Sequence, residues 1–321
     1  AAAAAGRAAL LLCAAVVAGA VALRPSHSKA APEPVRGFFT SFDGERMSYL
    51  DYAPGSPELP VVFALPGFMG QAGVPEDGAA LLREAGFRAV SMDLRGQGSS
   101  AKPAGLHAWE KDAEVRDVAA LATHLKLAAY SCVAYSHGSI EALRLASLDE
   151  RLRCLAVGGM GHRCTDPTWD RPNHWPAMFE SQALLADLSA VSSLQRSGGL
   201  AHEPRPEARA SRSHAVDMRA AAWVQRGQAS LSREELASIH VPIRLVVGSE
   251  DDENGDPVAL AQMINGSSLQ RVPGSHQSAG STAAYWQAVA GFLAAHPPSP
   301  PAGPAPPPFG RELPLGAGGR P

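Results

Sequence analysis

Between residues 36 and 296, short apolar runs alternate with stretches of helical periodicity, and this alternation constrains the fold of the 321-residue chain more than any other feature. The runs at 61–65, 88–94, 131–135, 152–157, 243–247 and 269–272 have strand length and read as buried strands. Helical spacing separates them at 76–85, closed by Gly86, and at 112–125, where Val115, Val118, Ala122 and Leu125 share a face; it returns at 139–148 and 282–295. Ahead of these, 37–42 and 47–52 form an expected hairpin around Asp43-Gly44. Strands joined through helices need right-handed crossovers, so the expected fold class is α/β, a mainly parallel sheet with helices on both faces.

The rhythm breaks over about 161–238, which holds Trp169, Trp175 and Trp223 of the five tryptophans and reads as helices and loops inserted after a strand, the position of a lid. Trp169, Trp175, Phe179 and Trp223 are expected either to line an apolar pocket or to pack this insertion onto the core. The two ends are unlike the middle. Residues 1–35 form a targeting or signal-anchor segment and linker: no acidic residue occurs in 1–32, and 8–23 are all apolar or glycine between Arg7 and Arg24. Sixteen such residues are short for a spanning helix, which needs about 20. The alternatives are a cleaved secretory signal, a membrane anchor through 8–23, and an organelle presequence. Residues 297–321 carry 10 of the 27 prolines and are expected to be a disordered tail, because proline lacks the N–H that helices and inner strands require.

Composition removes several functional classes. A net charge of −3 gives no basic face for nucleic acid. The four cysteines have neither C-x-x-C nor zinc-type spacing, and Cys132 and Cys154 fall in expected inner strands as buried free thiols. Gly96-Gln97-Gly98-Ser99-Ser100-Ala101 has the form of a dinucleotide fingerprint, but Lys102-Pro103 prevents the helix such a site must open into. No cofactor and no metal is implied.

The sequence Val133-Ala134-Tyr135-Ser136-His137-Gly138 runs a buried strand into a serine and then a helix. Small residues two positions either side permit a sharp turn that raises the Ser136 hydroxyl above the carboxyl end of the sheet. A serine needs a base. Of eleven histidines, His276 follows a late strand on a short loop of small residues, Pro273-Gly274-Ser275, whereas His137 is too close in sequence and His162, His174 and His214 lie in the insertion. An acid must orient that base. Strand 243–247 ends in Gly248-Ser249-Glu250-Asp251-Asp252-Glu253, where Asp251 is the first choice, Asp252 the second, and Glu250 and Asp256 follow. The order Ser136, Asp251, His276 is nucleophile, acid, base. Backbone N–H groups of Phe68, after the first inner strand, and of His137 are candidates for an oxyanion hole.

Four blocks in this order, Leu65-Pro66-Gly67-Phe68, Asp93-Leu94-Arg95-Gly96-Gln97-Gly98-Ser99, the serine turn, and Gly248…Asp251 with Gly274…His276, resemble the α/β-hydrolase superfamily in its lid-bearing, serine esterase-like branch. Two positions depart from the usual pattern: Ala134 replaces the first glycine of G-x-S-x-G, and Pro66 stands where histidine is common. The resemblance implies that Asp93 and Arg95 support a turn behind the site. It also implies hydrolysis of a small, largely apolar ester or related acyl compound, with acyl transfer, cofactor-free perhydrolysis or ligand binding without turnover as alternatives.

Overall fold

The computed structural model describes residues 33–110, 112–196 and 217–299. Eight strands form one sheet: β1 (Val35–Thr40), β2 (Arg46–Asp51), β3 (Val61–Leu65), β4 (Arg88–Asp93), β5 (Tyr130–Tyr135), β6 (Leu152–Gly158), β7 (Ile243–Gly248) and β8 (Ser268–Val272), in the order β1-β2-β4-β3-β5-β6-β7-β8. β1 and β2 are an antiparallel hairpin whose turn contains Gly44 at φ 94°, and β2 also runs antiparallel to β4; the remaining pairs are parallel. The mainly parallel α/β architecture expected from the alternation is therefore present.

Because successive side chains of a strand point to opposite faces, each inner strand feeds two cores. Val61, Phe63 and Leu65 of β3 pack with α2 (Ala113–His124) and α3 (His137–Ala146) through Val115, Leu121, Ile140 and Leu143. Val62 and Ala64 face α1 (Glu76–Glu84) and the last helix, packing among Leu82, Tyr285, Trp286 and Val289. Burial on both faces explains why these strands read as continuous apolar runs rather than alternating ones.

Between β6 and β7 lie α4 (Asp170–Arg196), α5 (Met218–Gly227) and α6 (Arg233–Ala237), with residues 197–216 outside the described residues. Phe179 of α4 and Ala221 and Ala222 of α5 enclose a small apolar cluster that reaches Phe68, Met69 and Trp175. Trp169 is buried in the main core, so it packs this segment down. After β7 come α7 (Pro257–Met263), which the sequence reading passes over, and α8 (Ala283–Ala295). α3 begins at His137, two residues earlier than expected, because the helix starts directly from the strained serine. The candidate targeting segment 8–23, His214 and the proline-rich stretch from 300 lie outside the described residues. Among the described residues, no helix is long and apolar enough to cross a membrane.

Candidate active site

β5 ends at Tyr135 and α3 starts at His137, leaving Ser136 alone to make the turn, with φ 51° and ψ −117°. Such a backbone is strained for a residue with a Cβ, and it persists only where surrounding structure fixes it. The Ser136 N–H donates to Gly158 O at 2.9 Å, and Ser139 Oγ donates to the same carbonyl at 2.8 Å. The small flanking residues are required by contact: a Cβ on Gly138 would lie 2.5 Å from Pro66 O and 2.9 Å from Leu65 O. Ala134 is buried in β5 between Leu65 and Val157, where its methyl is accommodated in the sheet.

The loops after β7 and β8 bring the other two side chains to this turn. His276 Nε2 lies 2.9 Å from Ser136 Oγ, and its Nδ1 lies 3.1 Å from each oxygen of Asp251. With the ring proton on Nδ1, the imidazole donates to Asp251 and accepts the Ser136 hydroxyl at Nε2. Tyr135 Oη donates to His276 O at 2.7 Å, and Glu250 N donates to Gly274 O at 3.1 Å, so the two loops are tied to the sheet end and to each other. Asp251 is buried, whereas Glu250 and Asp252 are exposed. Asp256 caps α7 by accepting from Val258 N at 2.8 Å. Of the four carboxylates weighed from sequence, only Asp251 is placed against His276.

Beside Ser136, the β3 loop turns at Gly67–Gly70, closed by Gly70 N donating to Gly67 O at 3.0 Å. Met69 takes φ 60° in that turn, a conformation usually left to glycine. Gly67 abuts the serine: a Cβ there would stand 3.3 Å from Ser136 Cβ. Among the described residues, the backbone N–H groups of Phe68 and His137 donate to no backbone carbonyl outside helices and strands. Asp93 supports this region from behind, accepting from Ala72 N at 2.5 Å and Ser99 N at 3.0 Å. Arg95 is locked between Asp117 at 2.7 Å and Asp43 at 2.6 Å.

Sequence reasoning misses what the His137 ring does. It is fully buried under α3, with Nε2 3.1 Å from Glu114 and 3.9 Å from Glu141, and Glu141 also accepts from Ala229 N at 3.1 Å. Burial pulls the imidazole pKa down, but the Glu114 carboxylate and then Glu141 outweigh it and push the value up to about 9. Burial, with Glu114 nearby, pushes the Glu141 carboxyl up to about 8. Among the described residues, Glu114, His137 and Glu141 are the one group of ligating side chains close enough to hold a metal ion. Only the i, i+4 spacing of His137 and Glu141 hints at this group in the sequence.

A family profile for the alpha/beta hydrolase fold matches residues 60–251, from the start of β3 to the acid after β7. The chain belongs to this family. No curated protein sequence matches this alpha/beta hydrolase at a significant level. Solved structures with similar architecture include a putative acyltransferase from Salmonella enterica, at 18% identity and TM-score 0.62 over 85% of this chain and 99% of that one. A bromoperoxidase from Bacillus anthracis shares 17% identity with TM-score 0.62 over 81% and 99% of the two chains. An enol-lactonase from Burkholderia xenovorans LB400 shares 20% identity with TM-score 0.61 over 80% and 99%. At these identities the likeness is one of fold, and function must be argued from the site.

Proposed function

We propose that this alpha/beta hydrolase is a serine hydrolase that cleaves a small acyl substrate, an ester or related compound, through an acyl-enzyme. The observation that carries the reading is the continuous chain of contacts from Ser136 Oγ through His276 to buried Asp251, at 2.9 and 3.1 Å. His276 takes the hydroxyl proton as Ser136 attacks the carbonyl carbon. Asp251 holds the imidazolium, and the N–H groups of Phe68 and His137 receive the negative charge that develops on the carbonyl oxygen. His276 then returns the proton to the leaving group. A water deprotonated at the same nitrogen releases the acid. The Phe68, Trp175 and Phe179 rings, with Phe68–Phe179 centroids 5.4 Å apart, supply an apolar wall contributed partly by α4, which supports a lid role for the segment after β6. The substrate is accordingly a small molecule, with no cofactor in the reaction. Residues 8–23 are proposed to direct the chain to the secretory path, a membrane or an organelle, and sequencing the mature N-terminus separates these.

The test is labelling with an alkyl fluorophosphonate. The expected result is stoichiometric modification of Ser136 in the intact protein and none in Ser136→Ala, with turnover of simple acyl esters. An unlabelled intact protein at neutral pH overturns the reading. Labelling without turnover of any ester points to a ligand-binding relative, and faster product formation with alcohols than with water points to acyl transfer.

A further inference from the structure

Among the described residues, four arginines drawn out of water are each met by a carboxylate. Arg88 pairs with Asp51, Arg95 with Asp117, Arg144 with Asp112 and Arg151 with Asp149. This follows from the several kcal/mol, in rough terms, that an unpaired charge costs once it leaves water. Arg153, whose Nε is buried without a partner, and Arg171, the second residue of α4, depart from the pattern, and it is Arg171 that stands beside the aromatic cluster reaching Phe68. Its Nη1 is sealed from solvent and has no hydrogen-bond partner, and among the described residues no carboxylate lies in ion-pair contact with it. The guanidinium carbon lies 4.5 Å from the Trp175 ring centroid and 5.3 Å from that of Trp169. Aromatic neighbours hold the planar cation in one orientation but supply no lone pair for its N–H groups. Burial correspondingly weakens its hold on its proton, countered in part by the field of Glu253.

Its surroundings connect to both walls of the Ser136 site. Trp175 packs on Phe68, centroids 6.1 Å apart, and Phe68 carries one of the two oxyanion donors. On the other side, Glu253 is exposed and accepts a hydrogen bond from Gln277, the residue after His276. Glu253 is therefore committed to the His276 loop and does not pair with the guanidinium. A permanent cation drawn partly out of water beside Trp175 and the Phe68 wall, with a donor that no protein group meets, is suited to an anionic oxygen. We propose that Arg171 receives a carboxylate of the substrate, so that the acyl compounds cleaved at Ser136 are half-esters or lactones bearing a free carboxylate at the end remote from the scissile bond. This rests on the serine hydrolase reading for the reaction, but the anion site itself is testable without turnover. The planar fork of arginine suits a carboxylate because two parallel N–H groups can meet its two oxygens.

The experiment uses the full chain and two matched pairs of para-nitrophenyl esters: the succinate and glutarate half-esters, and the neutral butyrate and valerate. The expected result for the intact protein is a kcat/KM that favours the half-esters by about 10-fold or more. In Arg171→Met, which keeps the apolar stem, the half-ester to neutral-ester ratio should fall by about 10- to 100-fold, the usual worth of one charged hydrogen bond. Arg171→Lys should restore part of that ratio, because it returns the charge without the fork. In parallel, glutarate is titrated calorimetrically into the Ser136→Ala protein, where it should bind more weakly at raised salt and not bind once Arg171→Met is added. An intact protein that shows no preference for the half-esters, or a ratio unmoved by Arg171→Met, overturns the proposal. If no ester is cleaved and no fluorophosphonate label is taken up, the hydrolase reading fails by itself. Glutarate binding lost with Arg171→Met would still support the anion site, and its absence would end it.

Discussion

Ser136 illustrates how a single residue concentrates the cost and the use of this fold. Its backbone strain, of the order of 1–3 kcal/mol for such a conformation, is borne by bonds that β6 supplies through the Gly158 carbonyl. The absence of a side chain at Gly138 is part of that support. Gly138→Ala pushes a methyl against two carbonyl oxygens, and overpacking of this kind typically costs about 1–3 kcal/mol. We expect a fall of several degrees in melting temperature together with slower fluorophosphonate labelling. If the melting temperature is unchanged, the contact at Pro66 O is not tight. The acid offers a sharper contrast. Asp251→Asn keeps the shape but cannot hold His276 in the tautomer that accepts from Ser136, and a loss of about 10⁴ in kcat is expected. Asp252→Asn alters an exposed side chain and should leave kcat within about twofold, since surface substitutions of this kind are close to neutral. Similar losses in the two variants would mean that the contact to Asp251 is not the one that orients the base. Residue types and spacing marked Ser136, His276 and Asp251 in the sequence, because each follows a strand that can be recognised by its apolar run. Arg171 gave no such signal, since its meaning lies in the partner it lacks.

At the level of elements, the strands were legible where burial on both faces made them continuous, as in Val61–Leu65, which the sequence reading and the structure bound identically. Helices were less legible where polar residues are buried. α2 was recognised from Val115 and Val118, yet Glu114 and Asp117 on the same helix are also buried, satisfied by partners far along the chain that no local pattern shows. α7 has a start signal in Asp256-Pro257, but its seven residues offer too few turns for a periodicity to emerge. The buried group shared by α2 and α3 has a consequence for stability. His137 rises from an ordinary 6.5 to about 9 in the folded chain, and Glu141 from 4.5 to about 8. Each binds its proton more tightly folded than unfolded, so each stabilises fully below its unfolded value and loses that contribution as pH rises through the folded one. Between pH 6.5 and 8 both therefore act in the same direction, and the melting temperature should fall as pH rises through this window and on to 9. Glu141→Gln has no proton to lose and should flatten the decline. Thermal melts of the two proteins at several pH values provide the check, and parallel curves would show that Glu141 does not titrate there.

At the scale of the whole molecule, the three cysteines among the described residues report how the structure opens. All are free and buried, and burial raises each thiol pKa, to about 12 for Cys154 and Cys164. Reaction with a thiol reagent requires both exposure and a thiolate, so the native protein should protect all three. Cys132 and Cys154 stand on adjacent strands β5 and β6 in the middle of the sheet, where exposure needs separation of strands that anchor both cores. Their protection should approach that of global unfolding, a factor of roughly 10³–10⁸ over a free thiol. Cys164 sits in the short turn between β6 and α4, at the root of the segment that carries Arg171 and the apolar wall. Opening of that segment without loss of the sheet would expose Cys164 alone, as sub-global openings expose less stable units first. Modification followed by mass spectrometry in increasing denaturant should therefore label Cys164 well before Cys132 and Cys154. A carboxylate ligand that bridges Arg171 and the sheet end should delay that first step while leaving the second unchanged. Simultaneous labelling of all three would mean that the segment after β6 and the sheet unfold as one unit.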